Sequence, residues 1–70
     1  MYIMRIKGSG KIPDYIQLRN DDFTLKGYFR EDRLEQGLEK SNMSSYYSMI
    51  HEILKELKFG EIKFIKKGDY

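Results

Sequence analysis

The chain has no cysteine, tryptophan, alanine or valine, and only one proline and one histidine in 70 residues. Lack of cysteine excludes disulfides and thiolate zinc sites. With His51 as the lone imidazole, a histidine-based metal cluster within one chain is excluded as well. Small scaffolds often lean on such staples. Here the packed core has to suffice, in a single domain spanning 1–70 that buries only about 60% of its unfolded surface. No apolar run approaches the ~20 residues of a membrane span. Residues 1–11 lack the continuous apolar stretch of a signal peptide. The expected location is therefore a reducing cytoplasm.

What is present is large. Eight Ile, six Leu, six Tyr, four Phe and four Met make up the apolar set. AT-rich coding would give the same bias, so it is not in itself a statement about the core. With 40% hydrophobic and 34% charged residues, the chain has the composition of a folded domain.

Segments 2–7, 15–19 and 23–30 read as strands, the last two joined as a hairpin at Asn20-Asp21-Asp22. A two-residue loop there sets Leu18 opposite Leu25 and Ile16 opposite Gly27. Residues 31–40 read as a short helix, with Asp32 and Glu35 at loose capping-box spacing and Gly37 as a weakening residue. Residues 43–58 carry Met43, Tyr46, Tyr47, Ile50, Ile53, Leu54 and Leu57 on one stripe of a long helix. Tyr46 and Tyr47 cannot both point straight inward, so one belongs at the boundary. Phe59-Gly60 ends this helix, 61–66 alternates as a last strand, and 67–70 is a tail. The expected fold is α+β: a small, mostly antiparallel sheet of three to four strands in β-β-β-α-α-β order. One short and one long helix pack on one face.

Net charge is only +2, yet it is unevenly spread. Residues 31–57 carry three Lys/Arg and six Asp/Glu; the flanking strand segments carry ten and five. Alternation is expected to put Met4, Ile6, Ile16, Leu18, Leu25, Phe29, Ile62 and Phe64 under the helices. The open face would then hold Arg5, Lys7, Tyr15, Arg19, Lys26, Tyr28, Arg30 and Lys63, together with Ile3, Gln17, Thr24 and Ile65. Six cations and two rings with no acid make this the candidate binding face. It requires Arg5, Lys26 and Arg30 to share one solvent-facing surface. An acidic protein surface or a second copy is the expected partner. Single-stranded nucleic acid, with cations on phosphates and rings on bases, is the alternative.

Other motifs dissolve on inspection. Gly8-Ser9-Gly10-Lys11 lacks the spacing and following helix of a phosphate loop. Lys26-Gly27-Tyr28 matches three positions of the RNA-recognition strand motif and departs at Phe29 and Arg30, so no family follows. Asp21-Asp22 suits a solvated turn better than acid–base work. His51 has no nucleophile or second histidine placed beside it. No catalytic constellation, metal or cofactor site is expected, and a non-enzymatic interaction module is the expected class.

Overall fold

The computed structural model describes residues 1–66, so the expected tail at 67–70 lies outside the described residues. Segments rich in Tyr, Ile and Phe form β1 (Tyr2–Ile6), β2 (Tyr15–Arg19) and β3 (Leu25–Arg30), and a short β4 (Ile62–Phe64) follows the helices. All neighbours are antiparallel and the spatial order is β3-β2-β1-β4. The last strand returns beside the first, leaving β3 and β4 as edges.

The β2–β3 hairpin differs from expectation in its loop. Asn20 N–H donates to the Thr24 carbonyl and Phe23 N–H to the Asn20 carbonyl, so three residues form the loop. Phe23 takes φ 70°, the left-handed position that a three-residue hairpin requires and that glycine normally fills. Leu18 consequently faces Gly27 and Ile16 faces Phe29, two positions along β3 from the expected register. The pairing then jumps to Arg19 with Leu25, leaving Lys26 as the extra residue of a bulge. That bulge turns Leu25 onto the open face, where it is 56% exposed.

Asp22 holds the loop from inside. Its Oδ1 accepts hydrogen bonds from Thr24 Oγ1 at 2.7 Å and Thr24 N–H at 3.1 Å. Both lower its carboxyl pKa below the ordinary value, the hydroxyl contributing most. A lowered folded-state pKa stabilises the loop above the ordinary carboxylate value and loses that effect as pH falls through the folded value. The Thr24 amide resonance should therefore titrate with a midpoint below about 3.9. A midpoint at or above that value would show that the Asp22–Thr24 bonds do not hold the loop in solution.

The helical half contains two α-helices of nearly equal length, not a short and a long one. Helix α1 (Leu34–Lys40) and helix α2 (Tyr47–Leu54) each follow a three-residue 3-10 turn, Glu31–Arg33 and Ser44–Tyr46. The expected capping box does not form, because Asp32 turns its carboxylate to Arg30 instead. Glu31 and Asp32 still place negative charge at the N-terminal end of this segment, where the peptide dipoles favour it. Helix α1 ends on Asn42 at φ 60°, with Met43 N–H donating to the Leu38 carbonyl and Asn42 N–H to the Glu39 carbonyl. These are the paired bonds of a Schellman stop, and Leu38 and Met43 bury their side chains beside it.

Both helices lie on the same face of the sheet. Ile3, Ile16, Leu18, Leu38, Met43 and Ile50 are fully buried between them, with Met1, Leu34, Leu57 and Ile65 at the margins. Tyr46 packs against this core while Tyr47 is the boundary ring, stacked on His51 at 5.7 Å. No helix among the described residues is long and apolar enough to cross a membrane.

Candidate functional site

Register assigns every strand side chain to a face. Ile3 pairs with Leu18 and Leu18 with Gly27, while Arg5 pairs with Ile16 and Ile16 with Phe29. Cross-strand partners share a face, so Met1, Ile3 and Arg5 of the first strand look at the helices. Tyr2, Met4 and Ile6 look outward. The last strand follows the first: Ile62 and Phe64, opposite Met4 and Tyr2, look outward, and Lys63, opposite Ile3, does not. β1 and β4 are thus inverted relative to expectation, while Ile16, Leu18, Phe29, Tyr15, Gln17, Tyr28 and Arg30 fall as expected.

The eight candidate residues are therefore divided. Tyr15, Arg19, Tyr28 and Arg30 share the open face, with Lys26 beside them at the bulge. Arg5, Lys7 and Lys63 do not, so Arg5, Lys26 and Arg30 share no surface.

Arg5 is the reason. It lies at the periphery of the covered face, where its guanidinium meets polar groups. Its Nε donates to Glu31 Oε1 at 2.6 Å and its Nη2 to Glu31 Oε2 at 3.0 Å. Its Nη1 reaches the Leu57 carbonyl at 2.9 Å and the Leu54 carbonyl at 3.4 Å. The side chains of Arg5 and Glu31 are only 22% and 24% exposed. The Glu31 hydrogen bonds raise the guanidinium pKa still further, so the cation is permanent. Arg5 also supplies partners to carbonyls at the end of α2, whose expected extent to 58 is cut at Leu54. The Phe59 ring covers the guanidinium at 4.2 Å and lies 5.9 Å from the Lys7 ammonium.

On the open face, rings replace the expected cations. Tyr2 packs edge-to-face on Phe23 at 5.2 Å and on Phe64 at 4.9 Å. The Arg19 guanidinium lies 4.7 Å over Phe23 and donates to the Phe23 carbonyl and Gln17 Oε1. Tyr15 and Tyr28 stack at 4.8 Å near the other end. Arg30 is bound bidentately by Asp32, which raises its own pKa and holds the Asp32 carboxyl low. Phe23, Leu25, Tyr28, Ile62 and Phe64 remain roughly half-exposed. A ring of this size offers ~200 Å², so the five together present on the order of 500 Å² of largely apolar side chain.

Two signals could have found this face. Tyr2, Met4 and Ile6 form an apolar phase of β1 as strong as Ile3 with its flanks. Phe23 sits where the hairpin geometry asks for glycine.

A second concavity runs along the β3 edge, a groove of about 450 Å³ between that strand and α1. Tyr28, Phe29, Arg30, Arg33, Gln36 and Lys40 line it, and no acidic residue does. A cleft of about 520 Å³ lies between the helices above Arg5 and mixes Glu31, Asp32 and Glu35 with His51 and Lys55. No group of three or more possible metal ligands occurs among the described residues. Compared with protein-family models, with curated proteins and with solved structures, the chain matches none of them.

Proposed function

We propose that this chain is a non-enzymatic interaction module whose working surface is the open sheet face, and that the face packs against a second copy of the chain. The observation that carries the reading is the apolar, ring-rich character of a face that no helix among the described residues covers. Contiguous exposed apolar patches of ~300–600 Å² are often functional. Face-to-face pairing of two such patches would bury about 1,000 Å² in all, the lower bound of a specific interface. Charge opposes it only in part. Arg30 is paired with Asp32 and Arg19 is hydrogen-bonded to Gln17 and Phe23, which leaves Lys26, exposed at the bulge, as the cation on that side with no ion pair or hydrogen bond among the described residues. Near that lower bound the expected complex is a weak, reversible dimer with micromolar dissociation.

Phe23 supports the reading from another direction. A bulky residue in the left-handed region costs roughly 1–2 kcal/mol relative to glycine. Among the described residues its ring meets Tyr2 and the Arg19 guanidinium, both on the open face.

Sedimentation equilibrium from micromolar to millimolar concentration tests the proposal. Phe23→Gly and Phe64→Glu should each weaken self-association at least ~10-fold. Phe23→Gly should leave the melting temperature nearly unchanged, since relief of backbone strain offsets the lost ring contacts. A chain that stays monomeric at millimolar concentration, or variants that dimerise as well as the parent, would overturn it.

Single-stranded nucleic acid is the weaker reading. Rings on a sheet can stack bases. Of the six expected cations, though, only Arg19, Lys26 and Arg30 lie on that side, and two are engaged internally. Oligonucleotide binding at low salt that Phe23→Gly abolishes would favour it.

A further inference from the structure

We infer that the β3 edge and its groove form a second, separate binding site, which takes an extended acidic peptide segment by strand addition. This inference does not rest on the open-face dimer.

The main chain provides the first half of the argument. β3 is an edge strand. Glu31 N–H donates to the Asp14 carbonyl, which fixes which pairs in the ladder exchange bonds. In an antiparallel ladder those pairs alternate. Phe29 and Gly27 therefore turn their peptide groups toward β2, and Tyr28 and Arg30 turn theirs outward. Among the described residues, no backbone bond outside the helices and strands reaches the Tyr28 N–H and C=O or the Arg30 N–H, while the Arg30 carbonyl, at the N-cap of the Glu31–Arg33 turn, accepts that turn's first bond. A row of unpaired N–H and C=O groups is a template for another strand.

Charge selects the occupant. Consider first a second copy pairing β3 with β3 about Tyr28. The two-fold would set Lys26 of each copy opposite Arg30 of the other. Like charges directly opposite are destabilising, and although Asp32 offsets Arg30 in part, Lys26 has no such partner, so this register disfavours pairing with a second copy. The groove beside it adds Arg33 and Lys40 from the α1 segment, neither in an ion pair among the described residues. With Arg30 at the rim and no acid in the lining, the slot complements an extended segment carrying carboxylates on alternate residues. Side chains two apart on an added strand point to the same face. One set would meet Arg33 and Lys40, and the other would lie beside Tyr28. Main-chain bonds would supply affinity and the cations would supply choice of partner, the usual division in strand addition.

The test uses a short capped peptide alternating glutamate and threonine, titrated into the full chain and followed by amide resonances. Binding should move the Tyr28 and Arg30 amides and slow their solvent exchange. Arg33→Glu with Lys40→Glu should weaken it at least ~10-fold, and added salt should weaken it further. Phe64→Glu, which weakens the proposed dimer, should leave it unchanged, so the two proposals fail separately. Three results would each overturn the inference. One is equal binding of the same peptide with lysine for glutamate. The second is equal binding of a peptide N-methylated on its bonding edge, which would leave charge without strand addition. The third is no movement of those amides at millimolar peptide, or larger movement with a single-stranded oligonucleotide.

Discussion

Replacing Gly37 with alanine should destabilise the domain by about 2 kcal/mol, although alanine is the better helix former by nearly 1 kcal/mol. Gly37 lies in α1, the helix that crosses β3, and it is buried. A Cβ placed there would come within 2.3 Å of Phe29 Cγ, 2.4 Å of its Cδ2 and 2.8 Å of its Cβ. These atoms are the root of the ring, not its free end, so a rotamer change cannot clear them. Either the helix lifts off the sheet or Phe29 abandons its place beside Ile16. Overpacking of this kind typically costs 1–3 kcal/mol. In a domain this small, one kcal/mol corresponds to roughly 4–8 °C, so the melting temperature should fall by about 10 °C. Total stability for 70 residues is only about 4–10 kcal/mol, which makes the loss a large share.

The double variant Gly37→Ala with Phe29→Leu separates clash from propensity. Leucine vacates part of the ring volume, so alanine should cost less beside Leu than beside Phe. The coupling should exceed ~1 kcal/mol, as expected for residues in direct contact. A thermal melt in which Gly37→Ala alone raises stability would show that propensity governs this position and that helix and sheet are less closely packed.

Gly37 also shows where the sequence is legible and where it is not. Read locally it is a weak point in a short helix. Its actual role depends on a phenylalanine eight positions earlier, across a sheet-to-helix contact that no periodicity encodes. Element positions are different, because β-forming runs and a 3.6-residue stripe are local signals. β2 runs from Tyr15 to Arg19 as expected, and the other three strands lie inside the expected segments. Faces were legible only where one phase of a strand is plainly polar. In β2, Ile16 and Leu18 alternate with Tyr15, Gln17 and Arg19, and the alternation assigns them correctly. In the expected strand 2–7 the two phases are apolar apart from Arg5 and Lys7, so two cations in one phase decided the expectation, and they decided wrongly. Arg5 can face the helices because Glu31 and two carbonyls meet it there, and all three are distant in sequence. Once β1 is inverted, β4 inverts with it through the Tyr2–Phe64 and Ile3–Lys63 pairs. The expected basic face thereby became an apolar one. The helix α2 boundary failed for the same reason, since the carbonyls at its end are met by a side chain from the first strand.

Arg5→Met should lower stability by about 2–3 kcal/mol and the melting temperature by more than 10 °C. Methionine keeps the unbranched stem and removes only the fork. That leaves the Glu31 carboxylate, 24% exposed, without its bidentate partner, and frees the Leu57 carbonyl of its best donor. A partly buried carboxylate stripped of its cation is costly because the charge stays behind. An unmet carbonyl adds about 1–3 kcal/mol where it stays buried. Partial exposure of both groups to water keeps the total at the lower end of that sum.

Arg5→Lys should recover less than half of the loss, since an ammonium cannot grip both carboxylate oxygens and a helix-end carbonyl together. Glu31→Gln in the Arg5→Met background should cost little more, because the stranded charge has gone. The double-mutant cycle should therefore show a coupling of about 1–2 kcal/mol between the two positions. In the peptide titration, Arg5→Met measured well below its melting temperature should bind like the parent, because its guanidinium faces away from both proposed surfaces. A variant that melts within ~2 °C of the parent yet loses partner binding would return Arg5 to the binding surface and remove the basis for assigning β1 to the helix side.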